Sequence, residues 1–457
     1  MKLRESRSVF SLFRSRDSFC YGSRSTAPWD DDEHGGQGAY SIRSCSDLPA
    51  TRSSPRDVQS TPLVCHGHTR PVPSLHFSRL LEPSSSNPGD PNYLLISACK
   101  DGKPMLRDWV GDWQGTFTDD NVGHKGAVWE VRLNSKDASL AASASADFSA
   151  KVWDTTTGNC LLTLPHRHIV RTVDFNVDAS ALHVADDELN GGGASSHTKV
   201  LTGGHEKLVR IWNLDLRPRR SRRRFPQNDT GAGGDNLEGE GEAEEEGLNG
   251  QEVGGPEVVQ ELIDPDTESG KTSHDRTVKK VLFDEERHCC ISMGEDKLVK
   301  WWDLTTLQKI DERQMMSDQG EAESITSMEK SLDGSLLCLT HGQSVTFLNL
   351  STREIEKTLS LNYSPSSVSL HPSRASGGSR DVFVTGSTSD EWVRLHSYET
   401  GVELEVGKGH HGPVHQVSFS PDGELYASGS EDGTVRLWQT SPSNYGLWRI
   451  NDGQGVA

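Results

Sequence analysis

Apolar and polar residues alternate over short stretches along most of this chain, and turn residues separate the stretches. VHQVSFS (414–420) alternates, SPDG (420–423) has turn composition, and ELYASGS (424–430) reads as a second strand. EDG (431–433) is another turn and TVRLWQ (434–439) a third strand. The grouping recurs at a period of about 43 residues, which is the length of a propeller blade. Seven copies fit between residues 61 and 450. One such sheet cannot bury its own faces, so the pattern predicts an all-β, seven-bladed propeller whose ring must close. TPLVC (61–65) stands ahead of the first copy and is placed to supply the outer strand of the last blade, removing an open sheet edge.

Polar markers keep the same period. His124, Ser143, Asp147 and Trp153 form one set, His274, Ser292, Asp296 and Trp302 a second, and His410, Ser428, Asp432 and Trp438 a third. The steps between them are 19, 4 and 6 residues in the first set and 18, 4 and 6 in the other two. Degenerate copies lie between: His68, Ser97 and Asp101 ending in Arg107; His166, Thr202, Glu206 and Trp212; and Asp390 with His396 in the Trp position. Residues 324–350 retain only the apolar pattern. The recurrence resembles a hydrolase triad, but a triad occurs once per enzyme, and this set repeats with the blades. With His in the turn before strand a and Asp in the b–c turn, both fall at one end of a blade. A carboxylate buried there needs donors, and the His, the Ser and the indole N–H are suitable ones. The quartets are expected to hold blades together.

The spacing also locates four insertions: LLEPSSSNPGDPN (80–92), DASALHVADDELNGGGASSH (178–197), residues 216–257 and HPSRASGGSRD (371–381). VVQELI (258–263) resumes blade 3 as its outer strand. All four fall in a–b or c–d connections, which share one face of the ring. The d–a and b–c loops, which carry the His and Asp markers, stay short, so their face is expected to be the partner surface. Trp129, Phe148, Arg171 and Trp392 are the candidate partner-binding residues there, because aromatic and Arg anchors dominate interface energetics.

Composition narrows the function. Of 457 residues 33% are apolar, 44 are Gly, and the net charge is −20, which fits a real core diluted by unstructured segments. Residues 1–60 are Ser- and Arg-rich with a net charge of +1 and read as a disordered tail. Glu5, Asp17 and DDDE (30–33) argue against a transit peptide there. RPRRSRRR (217–224) is open to three readings: an import signal, a nucleic-acid patch, or a solvated run neutralised by the acidic stretch 228–250. Residues 216–257 as a whole are expected to be disordered, and 451–457 to be a short tail. Outside residues 1–60 and 217–270 the chain carries about −13, a poor electrostatic match for bare nucleic acid, so the propeller is not expected to bind it directly. No apolar run approaches the roughly 18 residues of a membrane span. The eight cysteines are scattered without a C-x-x-C pair and read as reduced thiols of a cytosolic or nuclear protein. No phosphate loop, dinucleotide fingerprint, H-E-x-x-H or calcium loop occurs. His410, His411 and His415 are close together, but His410 belongs to a quartet. No catalytic residue, cofactor, metal or small-molecule substrate is therefore expected. An enzymatic propeller would need a single, non-repeating polar cluster in its central channel, and the sequence shows none.

Certain stretches are more specific than the general repeat. They are TPLVCHGHTRPV (61–72), ISACKDGKPMLR (96–107), GDWQGTF (111–117), GHKGAVW (123–129), ADFSAKVWD (146–154), HIVRTVDF (168–175), LTGGHEKLVRIW (201–212), FSPDGELYASGSEDGTVRLWQ (419–439) and YGLW (445–448). Through them the chain resembles the serine/threonine kinase receptor-associated (unr-interacting) family of seven-bladed WD40 β-propellers. Blades 4 to 6 match mainly through spacing. The resemblance implies a non-catalytic adaptor, peripheral in the survival-of-motor-neuron complex, with Sm and Gemin-type proteins as partners. Its work would be small nuclear ribonucleoprotein assembly and mRNA splicing, in cytoplasm and nucleus. The resemblance also implies a part in dampening transforming-growth-factor-β receptor signalling. No partner-contact residue carries over. The i subunit of eukaryotic translation initiation factor three is a similar propeller and the alternative; KDGKPMLR (100–107) argues against it.

Overall fold

The structure is a computed structural model that describes residues 62–81, 92–118, 122–176, 198–214, 216, 256–317, 319–372 and 381–440. Among these residues the chain forms seven four-stranded antiparallel sheets, the blades of a propeller. Blades 1 to 6 span residues 74–116, 128–165, 170–262, 278–314, 325–360 and 365–407, each pairing its strands a, b, c and d in chain order. Blade 7 takes strands a to c from 414–439, and its outer strand is Leu63–Cys65, with Leu63 opposite Leu437 and Cys65 opposite Val435. The expected closing strand thus joins the first described strand to the last. Blade 3's outer strand, Pro256–Leu262, begins two residues ahead of the VVQELI expectation. The expectations for the N-terminal tail, most of the insertions including the Arg and acidic runs, YGLW and the final tail lie outside the described residues.

The strands follow their composition. Inner strands lie between neighbouring blades and are apolar or small on both faces: Leu140–Ser145 (LAASAS) is buried at every position. The outer strand Lys309–Gln314 (KIDERQ) has one face toward solvent and alternates half-buried with exposed. The core is divided into seven clusters, one at each junction. Leu106 and Phe117 of blade 1 meet Val131 and Trp153 of blade 2, and Trp301 of blade 4 meets Leu337 and Leu339 of blade 5. At the closure, Ala427 and Val435 of blade 7 meet Leu75 and Tyr93 of blade 1. Each blade therefore depends on its neighbours for burial, and truncating a junction residue such as Trp153 to Ala costs about 3–5 kcal/mol. Trp301 and Trp302 are both fully buried core aromatics. Six described cysteines are free thiols, and burial pushes Cys65 and Cys289 up to about 11.

Candidate partner-binding site

The three full quartets are linear relays of donors. In blade 2, Trp153 Nε1–H donates to Ser143 Oγ at 2.8 Å, the Ser hydroxyl donates to His124 Nε2 at 2.6 Å, and His124 Nδ1–H donates to Asp147 at 2.8 Å. Blade 4 repeats this through Trp302, Ser292, His274 and Asp296 at 2.8, 2.7 and 2.8 Å. Blade 7 does so through Trp438, Ser428, His410 and Asp432 at 2.8, 2.7 and 3.0 Å. A carboxylate can only accept, so Nδ1 of a neutral imidazole carries the proton, Nε2 accepts from the Ser hydroxyl, and the hydroxyl oxygen takes the indole N–H. Burial pulls His410 down to about 4 and His124 below the usual imidazole range. Burial opposes ionisation of Asp147 and Asp432, yet the converging donors hold both well below the usual carboxylate range. Neutral imidazole beside carboxylate is the order of a triad. However, Ser143, Ser292 and Ser428 are at most 1% exposed beneath their indoles, where no substrate reaches them.

The degenerate blades solve the same problem differently. In blade 1, His68 meets Ser97 at 2.7 Å but stands 3.6 Å from Asp101, and Arg107 replaces the indole by reaching the His66 carbonyl at 2.7 Å. In blade 3 the expected His166–Thr202 contact is absent. Glu206 is one methylene longer than Asp and takes Arg210 at 2.5 Å, while Arg210 donates to His166 Nδ1 at 2.8 Å, leaving Nε2 unpartnered among the described residues. Blade 5 is not merely apolar, contrary to expectation. His341 at the end of strand b bonds Glu323 in the d–a loop at 2.6 Å and Thr346 at 2.8 Å, so His and carboxylate have exchanged places. In blade 6, Tyr363 fills the His position and bonds His396 at 2.7 Å, while Asp390 pairs with Arg394 at 2.6 Å.

A second correction concerns the channel. Strand a of each blade lines the axis, and its inner-edge N–H groups have no further strand to pair with. Side chains of the preceding blade accept them: Leu133 N–H bonds His76 at 3.0 Å, Val173 bonds Glu130 at 3.3 Å, and Val281 bonds Thr172 at 3.0 Å. Val417 bonds Ser367 at 3.0 Å, and Leu75 bonds Gln416 at 3.2 Å across the closure. At the remaining junctions the side chain donates: Lys330 to the Phe283 carbonyl at 2.9 Å, and Thr326 to that of Pro365 at 3.1 Å. Within this ring sits a charged cluster the sequence did not reveal. Glu130 pairs with Lys280 and Arg132, and burial pushes Glu329 up to about 7. These groups engage one another and the main chain, so the cluster joins blades.

At the short-loop end, strand a carries a bulge in six blades. Val128 faces Ser145 and Glu130 faces Ala144, so Trp129 is left out of the ladder. Arg171, Lys279, Thr326, Ser366 and His415 are left out in the same way. A bulge re-aims its side chain. Here all six, with Pro73 in the matching place of blade 1, line a cavity of about 290 Å³ at the channel mouth. The structure therefore brings two of the four predicted residues together: the Arg171 guanidinium lies 4.1 Å over the Trp129 ring. Phe148 continues outward from them across blades 2 and 3. It is 47% exposed, held at φ +67, with the His168 ring at 5.6 Å, and His168 stacks on His205 at 5.1 Å. Trp392 is separate, in blade 6, between Lys408 at 4.2 Å and Arg394 at 5.1 Å. Lys279 and His415 were missed, although their slot is legible: it is the first variable residue in VWEV, VRTV, VKKV, ITSM, PSSV and VHQV.

Among the described residues His68, Cys99 and Asp101 have ligand atoms within 4.8 Å of one another. Cys99 donates to the Arg70 carbonyl at 3.0 Å, as Ser145 and Ser430 do to Gly126 and Gly412. Burial pushes its thiol up to about 12, so it acts as a hydroxyl substitute and is poorly disposed to ligate as thiolate.

The family profile described as "WD domain, G-beta repeat" matches residues 114–154 and 401–439. Serine-threonine kinase receptor-associated protein of Gallus gallus is 40% identical over 394 residues, covering 86% of this chain and 86% of its own length. The protein of that name from Dictyostelium discoideum is 35% identical, covering 83% of this chain and 98% of its own length. This chain belongs to the serine-threonine kinase receptor-associated protein family. Eukaryotic translation initiation factor 3 subunit I of Culex quinquefasciatus is a more distant relative at 25% identity over 84% of the chain. WD-repeat propellers are generally non-catalytic scaffolds, and membership of this family puts the channel mouth and the short-loop face in that context.

Proposed function

We propose that this protein is a non-catalytic scaffold in survival-of-motor-neuron-type assemblies, holding Sm and Gemin-type proteins while small nuclear ribonucleoproteins are put together for mRNA splicing. It works in cytoplasm and nucleus and docks partners on its short-loop face. The observation that carries the docking surface is the ring of bulge residues, which turns one side chain from each of six blades toward a common mouth. Family membership supports the assembly. The name that these relatives carry adds a serine-threonine kinase receptor as a second class of partner. Purification of the tagged full chain from its own cells, with mass spectrometry of what accompanies it, tests the proposal. Sm and Gemin-type proteins are expected; initiation-factor subunits in their place would overturn it.

A further inference from the structure

The channel mouth presents donors and cations without matching acceptors. Among the described residues Arg171 makes no hydrogen bond or ion pair; it rests on Trp129, and the carboxylates of Glu295 and Glu130 act on it only through space. Trp129 Nε1–H is buried beside it with no acceptor. Lys279, close enough to Arg171 for the two charges to repel, has only the Ile325 carbonyl at 3.4 Å. The other ring positions are already engaged: Ser366 with the Val414 carbonyl at 2.6 Å, and His415 with Glu431 at 2.5 Å. None of the seven slots holds a carboxylate. Glu130 and Lys280 also line the cavity, but they are paired with each other and so leave Arg171 and Lys279 as its cations without a carboxylate partner.

We infer that this mouth is a dock for an acidic segment of a protein partner, with one Asp or Glu side chain pairing with Arg171 over Trp129 and the next reaching Lys279. The inference rests on the short-loop face being the partner surface, and it names the chemistry of what that face reads. A guanidinium already fixed on an indole offers a preorganised fork to a carboxylate. The chain's net charge of −20 repels an acidic segment elsewhere and leaves the mouth as the point of attraction. Single-stranded RNA is the other polyanion to consider. It needs a row of stacking platforms and a cationic groove, whereas the ring supplies one indole, already covered by Arg171, and one imidazole, already bonded to Glu431.

Fluorescence anisotropy with the purified full chain tests this, using three labelled probes: a twelve-residue peptide of alternating Glu and Ala, its Gln counterpart, and a twelve-nucleotide oligouridine. The Glu peptide is expected to bind, more weakly as salt rises. R171Q should weaken it by at least about tenfold and K279Q by a few-fold. R171K, which keeps the charge but loses the fork, should recover only part. Lys136→Gln, in an a–b turn on the opposite face, should change nothing, and matched melting temperatures establish that the variants fold. Equal binding of the Gln peptide, an unaffected R171Q, or tighter oligouridine binding lost in R171Q would each overturn the dock. Loss of the peptide site without loss of co-purifying Sm and Gemin-type proteins overturns their seating here but spares the scaffold proposal. Peptide binding without those proteins does the reverse.

Discussion

Replacing Asp432 by Ala removes the acceptor at the end of the blade 7 relay. One carboxylate oxygen takes His410 Nδ1–H and the His411 N–H, both at 3.0 Å; the other takes the Thr434 N–H at 2.8 Å and its hydroxyl at 2.7 Å. The side chain is only 9% exposed, and Ala offers nothing in return. His411 is exposed and its N–H has access to water, but His410 is buried and its proton is left with only the Thr434 hydroxyl, 3.2 Å away. An unmet buried donor costs about 1–3 kcal/mol and a lost hydrogen bond to a charged group about 1.5–3, so for the buried part of this set a loss of about 3–4 kcal/mol is expected. A cooperative unit of roughly 400 residues has an unfolding entropy near 0.8 kcal/mol/K, which converts the loss to about 4–5 °C in Tm. Because blade 7 holds the closing strand Leu63–Cys65, amide exchange at Val435 and Leu437 should accelerate along with the melt. Differential scanning calorimetry at pH 7.5 makes the measurement. D432N, which keeps one acceptor, should fall between wild type and D432A. A D432A melt within 1 °C of wild type would refute the account of the quartets as mortar between blades.

Two further outcomes follow from the variant blades and the buried imidazoles. Glu206→Asp writes the commoner residue into blade 3 yet should destabilise it by about 1–2 kcal/mol, because the shorter carboxylate surrenders Arg210 at 2.5 Å and the Arg167 N–H at 2.6 Å; urea unfolding would show a gain if the consensus residue were intrinsically better. Burial holds His166, His396 and His410 at about 4, below the unfolded value near 6.5. The unfolded chain therefore takes up protons that the native state refuses, and stability falls as pH drops from 6.5 toward 4, by up to roughly 1.4 kcal/mol per pH unit for each. Glu329, raised to about 7, takes up its proton in the native state first and so offsets about one of the three; the depressed carboxylates add their slope only below about pH 5. Tm should be level between pH 7.5 and 6.5 and lower at 5.5; a level profile throughout would contradict the neutral buried imidazoles.

The ring was legible because its signals repeat at short range: alternation over six residues, turns after them, and a quartet at fixed steps. What escaped was written across blades. Glu130, Lys280 and Glu329 are in separate blades, and only ring closure makes them neighbours. Blade 5's network escaped because His341 and Glu323 occur in reversed order. The turn after the quartet carboxylate needs a left-handed residue in five blades, yet only Gly102 and Gly433 announce it; Phe148, Lys207 and Lys297 adopt it with side chains attached. That conformation holds Phe148 out in solvent, and no local pattern predicts it.

The quartets and the docking ring share one end of the propeller for a mechanical reason. Each full quartet's carboxylate also takes the N–H of the residue after its His: Lys125 at 3.1 Å, Asp275 at 3.1 Å and His411 at 3.0 Å. This pins the d–a loop a few residues before strand a begins, so the bulge that follows presents Trp129, Lys279 or His415 from a fixed position. Holding binding groups in place beforehand lowers the entropy lost when a partner arrives, so one network serves both cohesion and recognition. Blade 3 separates the two roles. Its His–carboxylate relay is gone, yet Glu206 still takes the N–H of Arg167, the residue after His166. What places Arg171 is therefore the anchored loop, and a blade keeps its share of the dock as long as some carboxylate holds that N–H.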